Sequence, residues 1–266
     1  AVEGTEVHEE ELEGFPLTTV RITSPAGARA LGKPEGSYLT LDLGGYRAMG
    51  ADALPRAVQA VGACIERLIP KKAGAALVAG LGNRAVTPDA MGPRCADHVL
   101  VTRHLTHANP QNFGSFYPVA ALAAGVLGTT GVESGELVQA VCEKIRPGFV
   151  IAVDALAARS VRRLCTTIQI ADTGISPGSG VGNRRFALNA ETLGVPVIAV
   201  GVPTVVDGAS LAREFGGRAD GALAEMLVTP KDVDTLITEL ARLLGYGINA
   251  ALQHGLSVAD MDYFLG

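Results

Sequence analysis

Two aspartates stand where an α/β chain can do acid–base chemistry. Asp154 follows the apolar run Phe149-Val150-Ile151-Ala152-Val153, which reads as a buried strand that delivers an acid to its carboxyl end. Asp89 comes 65 residues earlier (154 − 89), after a second apolar run over residues 75–79 and the turn Gly80-Leu81-Gly82-Asn83. Ligands of open α/β sheets collect outside the carboxyl ends of the strands. Two carboxylates that converge there can share one proton, because like charges in close contact resist double ionisation. The ionised member can then activate water while the protonated one polarises a carbonyl. The plainer alternative is that each acid caps a helix, and Asp89 does stand near a predicted helix start. Spacing leaves both open.

Other patterns compete for the chemistry. Gly80-Leu81-Gly82-Asn83 invites a dinucleotide site, but that fingerprint needs GxGxxG opening directly into a helix, and here Ala85 and Pro88 interrupt. Asp172-Thr173-Gly174 matches the motif of pepsin-like proteases, which are β-rich and need two copies; this chain has one, in an α/β context. Gly178-Ser179-Gly180-Val181-Gly182-Asn183, flanked by Arg184 and Arg185, reads as an anion cradle, a mobile substrate-contacting loop or a plain surface loop. His104 and His107 fit a helix end better than a metal site, since H-E-x-x-H is absent. Cys64, Cys95, Cys142 and Cys165 lack CxxC spacing and read as reduced, partly buried thiols of an intracellular protein. A non-enzymatic α/β protein that binds an anion or nucleotide through the two Gly-Asn loops is the competing class.

Composition narrows the field. A net charge of −5 and a pI near 5.6 give no electrostatic footprint for nucleic acid, and the absence of Trp weakens base stacking. Every long apolar run is broken by Pro or Gly before it reaches bilayer length. The chain opens at Ala1 without Met, so it is expected to be trimmed or processed. Residues 1–16, with Glu3, Glu6, Glu9, Glu10, Glu11 and Glu13, are expected to form an acidic, solvated N-terminal arm. Alternation over 17–22 and 37–43 predicts an edge strand pair. Apolar spacing predicts helices over 53–69, 90–105, 135–145 and 231–252, and strands over 75–79, 118–124, 149–154, 165–170 and 195–200. Residues 17–266 are therefore expected to be a single α/β domain. Its central sheet is mostly parallel or mixed, with helices on both faces and an N-terminal edge strand pair.

The longer motifs carry a resemblance. Gly80-Leu81-Gly82-Asn83 with Thr87-Pro88-Asp89-Ala90-Met91-Gly92-Pro93, Leu100-Val101-Thr102-Arg103-His104-Leu105, the stretch from Ile151 through Asp154 to Ser160, Asp172 to Asn183, Glu191 to Asp207 and Asn249-Ala250-Ala251-Leu252 together resemble the germination protease family of spore-forming bacteria. The resemblance implies an endopeptidase of the spore core cytoplasm that degrades small acid-soluble spore proteins, with no direct nucleic-acid or membrane partner. It implies a zymogen that loses a short N-terminal segment, a homotetramer, and an atypical aspartic mechanism whose acids fall on Asp89 and Asp154. The implied fold is phosphorylase/hydrolase-like and similar to that of hydrogenase-maturation endopeptidases. Those bind nickel through acids at the Asp89 and Asp154 positions and a later histidine. Between Asp154 and the C-terminal helix this chain has no histidine, the next being His254, so no metal or cofactor is carried over. A metal-dependent maturation-type endopeptidase stays as the alternative. Family specificity for an acidic residue before the cut implies a basic subsite. Arg84, Arg94, Arg103, Arg184 and Arg185 are its candidates, with Gly180 and Asn183 as loop contacts.

Overall fold

A computed structural model describes residues 2–71, 73–177 and 186–266. Among them nine strands build one sheet: β1 Thr5–Leu12, β2 Phe15–Ile22, β3 Gly36–Asp42, β4 Ala76–Leu81, β5 Val119–Gly125, β6 Phe149–Ala158, β7 Thr167–Ala171, β8 Val197–Asp207 and β9 Leu227–Val228. Their order is β1-β2-β3-β7-β8-β6-β4-β5, with β9 paired to β8. Strands β5, β4, β6 and β8 run parallel, and β7, β3, β2 and β1 continue the sheet antiparallel, so it is mixed.

The apolar runs of the parallel half feed two cores at once, because successive side chains leave a strand on opposite faces. Phe149, Ile151 and Val153 of β6 pack on one face with the helices Ala53–Glu66, Met91–Asp97 and Val233–Leu252. Val150 and Ala152 pack on the other with the helices Ser134–Ile145 and Ala190–Leu193. The expected α/β domain with helices on both faces is what forms.

The acidic N-terminus departs from expectation. Thr5–Leu12 is no solvated arm but the edge strand β1, in register with β2 from Thr5–Ile22 to Leu12–Phe15. Glu13 and Gly14, both at positive φ (54° and 87°), form the two-residue turn that suits the twist of a hairpin. Glu10 accepts from the Arg67 guanidinium at 2.6 Å, tying the strand to the end of the Ala53–Glu66 helix. The remaining glutamates line an outer edge, where charge discourages edge-to-edge pairing. The predicted strand pair 17–22 and 37–43 is present as β2 and β3, one place in from the edge.

The helix predicted over 90–105 is two helices, Met91–Asp97 and Arg103–Ala108. The break is stabilised from outside. Asn249, 1% exposed on the Val233–Leu252 helix, accepts from the Leu100 N–H at 2.8 Å and donates from Nδ2 to the His98 carbonyl at 2.8 Å. Asn249→Ala leaves both backbone groups without this partner, and is expected to lower unfolding free energy by about 2 kcal/mol or more. Urea denaturation checks this; an unchanged midpoint would show that the break holds itself.

Strands β6 and β8 both outrun their predicted ends. Beyond Asp154 they stay paired as far as Ala158 and Val206, with a register shift after Leu156. Pro203, which has no N–H to give, lies opposite Leu156 at that irregularity. Asp154 is therefore mid-strand in β6 rather than at its end.

Candidate active site

Register sets Asp154 level with the carboxyl end of β4, from which the chain runs on to Asp89. β4 and β6 pair in parallel up to Gly80–Val153; Asp154 is the next residue, and β4 stops at Leu81. Asp154 thus stands where β6 loses its β4 neighbour, while keeping its pairing with Gly201 of β8. From Leu81 the chain turns through Gly82 and Asn83 and returns as the short 3-10 turn Thr87–Asp89, which packs against β6 and β8. Asp89 lies past the carboxyl end of β4, and Asp154 stands level with that end although β6 continues beyond it; the carboxyl ends of parallel strands are where α/β sheets bind ligands.

Glycines make this approach possible. Gly82 has φ of 109°, and a Cβ there would stand 2.1 Å from the Asp89 carbonyl oxygen. A Cβ on Gly92 would stand 2.3 Å from the Leu81 carbonyl and 2.4 Å from that of Val153, so the Met91–Asp97 helix lies directly on β4 and β6. The Gly80-Leu81-Gly82-Asn83 motif, legible as a dinucleotide turn, serves here as a close-packing element under Asp89.

Neither acid occupies the N-cap position of a helix. The Met91–Asp97 helix has Ala90 at its N-cap and no side-chain cap bond. The Asp89 carboxylate turns back instead, its Oδ2 accepting from the Asn83 N–H at 2.7 Å. Asp154 is 5% exposed, and its Oδ1 accepts from the Ala155 N–H at 2.9 Å. Alternation along β6 directs it to the face of Val150 and Ala152. Ile175, Leu188 and Phe186, at the base of the glycine-rich loop, pack on that same face. Ile175 and Leu188 exchange backbone hydrogen bonds of 2.9 and 2.8 Å, which closes the loop's base beside the acid's side of the sheet.

The arginines divide. Arg84 shares the loop with Asn83, but its guanidinium is committed to Asp97 (2.6 and 2.9 Å) and to the Pro93 carbonyl (2.9 Å). Arg94 donates to Thr238 Oγ1 at 3.0 Å. Arg103 follows Thr102, whose hydroxyl donates to the Tyr117 carbonyl and accepts from the Val119 N–H. Val119 opens β5, so Arg103 sits at the amino end of the parallel strands, opposite the acids. That placement removes it from a subsite around Asp89 and Asp154. Gly180, Asn183, Arg184 and Arg185 lie outside the described residues.

Asp172, of the pepsin-like motif, is accounted for by the fold: its Oδ1 accepts from the Ser37 N–H at 2.8 Å where β3 meets β7. Among the described residues no three His, Cys, Asp or Glu side chains gather as a metal set. All four cysteines are buried and free. Burial pushes the Cys64 thiol up to about 12 and those of Cys142 and Cys165 to about 11, and raises Cys95 as well. Thiols so held stay protonated at neutral pH and make poor nucleophiles. No helix among the described residues is long and apolar enough to cross a membrane.

Sequence reasoning missed two supports of the site. Thr204 of β8 donates its hydroxyl to the Pro88 carbonyl at 2.7 Å, and Thr87 donates to Asp234 Oδ1 at 2.8 Å. Both partners are more than a hundred residues away in sequence, and a lone threonine carries no periodic signal.

The fold is a single α/β domain with a mixed nine-strand sheet, in which Asp154 lies beside the carboxyl end of β4. Comparison with known proteins specifies it further. The germination protease family matches residues 1–215, and the chain belongs to that family; it is a peptidase. It is 40% identical over 300 residues to a germination protease of Caldanaerobacter subterraneus subsp. tengcongensis, covering 99% of this chain and 93% of the relative. Germination proteases of Clostridium perfringens (40%; 95% of this chain, 89% of the relative) and a Geobacillus species (38%; 94% and 86%) are similarly related. Among solved structures, a NiFe hydrogenase maturation protease from Thermococcus kodakarensis aligns with a TM-score of 0.40 at 17% identity, over 70% of this chain and 99% of its own.

Proposed function

We propose that this peptidase is an endopeptidase of the spore core that degrades small acid-soluble spore proteins during germination, with Asp89 and Asp154 as its catalytic pair. Two carboxylates beside the carboxyl end of β4 suit the attack of water on a peptide carbonyl. The ionised carboxylate takes a proton from the water as the new C–O bond forms. The protonated one donates to the carbonyl oxygen; as the C–N bond breaks, the first acid passes the proton it took from water to the departing nitrogen, and the diol hydroxyl returns a proton to the second. The observation that carries this reading is the placement of Asp154 one residue beyond the Gly80–Val153 pair, where the returning Asp89 turn packs against β6.

The same reading includes maturation from a zymogen and a homotetrameric assembly. Exposed apolar side chains support association: Tyr263 (85% exposed) and Phe264 (52%) beside Phe116, and Phe215, Leu223, Met226 and Leu227 on another part of the surface. Clustered apolar side chains on a surface mark interaction sites.

Incubation of the purified chain with a small acid-soluble spore protein, with and without EDTA, tests the activity. Discrete internal cleavage at the same rate in both is expected. Activity lost to EDTA and restored by a divalent ion would replace the aspartic mechanism with the metal-dependent alternative. Tight nucleotide binding without cleavage would replace the enzyme with a binding protein.

A further inference from the structure

Taking Asp89 as half of the catalytic pair, the reading on which this inference rests, we propose that Thr204 and Thr87 are positioning residues that set Asp89 against Asp154. The turn Thr87–Asp89 is too short to hold its own geometry: it is one 3-10 turn with no side-chain cap, sitting on a glycine bend. Its position is imposed from outside. Thr204 is 1% exposed, and its hydroxyl donates at 2.7 Å to the carbonyl of Pro88, the peptide that leads into Asp89. The carbonyl of Thr204 in turn accepts from the Thr229 hydroxyl at 2.9 Å, which fixes that stretch of β8.

Three residues before Thr204, Gly201 is the backbone partner of Asp154. One strand therefore locates both acids: Asp154 through the ladder and Asp89 through a hydroxyl. From the other side, Thr87 donates to Asp234 Oδ1 at 2.8 Å, in the first turn of the Val233–Leu252 helix. The turn is gripped by a buried hydroxyl on one side and an exposed one on the other.

Threonine suits the buried position. Its branched Cβ restricts χ1 within a strand, so the hydroxyl is held in one direction. Valine keeps the shape and loses the donor, leaving the Pro88 carbonyl without this partner. A catalytic group displaced by about 1 Å can lose about 10²-fold in rate. A merely structural threonine would lower stability and leave turnover by the folded enzyme untouched.

The test compares the wild-type chain with Thr204→Val, Thr204→Ser, Thr87→Val and Asp89→Asn, assayed on a small acid-soluble spore protein below each melting temperature. Thr204→Val is expected to lower kcat by about 10-fold or more with KM nearly unchanged, and Thr204→Ser to restore most of it. Wild-type kcat in folded Thr204→Val, with Asp89→Asn inactive, would overturn the positioning role and leave the catalytic pair standing. An active Asp89→Asn would overturn both. If Thr204→Val does not fold, Thr87→Val decides, since its bond is at the surface: a several-fold fall in kcat supports the grip on the turn, and an unchanged kcat overturns it.

Discussion

Asp154→Asn and Asp89→Asn are each expected to reduce cleavage of a small acid-soluble spore protein by about 10²- to 10⁴-fold, the usual contribution of a positioned acid or base. Folding should survive both changes. The carboxamide oxygen of Asn can still accept from the Ala155 N–H at position 154, or from the Asn83 N–H at position 89. What is lost is the ability to take or give a proton. If the two acids act as one unit, the double variant should be little worse than either single one, because removing half of a shared device removes all of it. Independent contributions would instead multiply. The pH–rate profile is a second readout: a coupled pair titrates in two macroscopic steps that belong to the pair, and replacing either acid should leave at most one. Either variant folded and near wild-type activity would end the dyad.

The strands that carry the two candidate acids were legible in the sequence, for a physical reason. The strands of the parallel half are buried on both faces, so β4 and the first halves of β6 and β8 appear as apolar runs, and an acid directly after such a run stands out. Asp154 was found that way, and Asp89 by its place after the adjacent strand and its turn. The elements that escaped depend on partners distant in sequence. β1 carries four glutamates in eight residues, and its pairing is decided by the Glu13-Gly14 turn rather than by hydrophobic alternation. The break between Asp97 and Arg103 keeps a helical apolar period and is visible only through Asn249, about 150 residues on. The extension of β6 past Asp154 runs through Ala155-Leu156-Ala157-Ala158, residues that suit a helix; pairing with β8 overrides that propensity. Arg84 and Arg103 were attractive as basic residues near motifs, yet charge says nothing about which end of a strand a residue reaches. One is paired to Asp97 and the other sits at the opposite edge.

Gly82→Ala is expected to be nearly as damaging to activity as loss of an acid, without touching a catalytic group. At φ of 109° an L side chain is strained, at a cost of about 1–3 kcal/mol. The new methyl would also lie 2.1 Å from the Asp89 carbonyl oxygen and 3.0 Å from its Oδ1, inside contact distance of both. Something must move, and the two candidates differ in stiffness. Leu81, on one side of Gly82, is anchored in β4 between β5 and β6. The Thr87–Asp89 turn is a single 3-10 turn held by hydroxyls and by the Asn83 N–H. The turn should yield first, carrying the carboxylate away from Asp154 and lengthening its bond to Asn83. A shift of about 1 Å corresponds to a loss of about 10²-fold in kcat. Gly92→Ala makes a useful contrast, because its methyl would meet backbone of β4 and β6 rather than Asp89, so its effect should fall chiefly on stability. Measured side by side, Gly82→Ala should show the larger fall in kcat per degree of melting temperature lost. A folded Gly82→Ala enzyme with wild-type kcat would mean that the position of Asp89 does not limit the reaction.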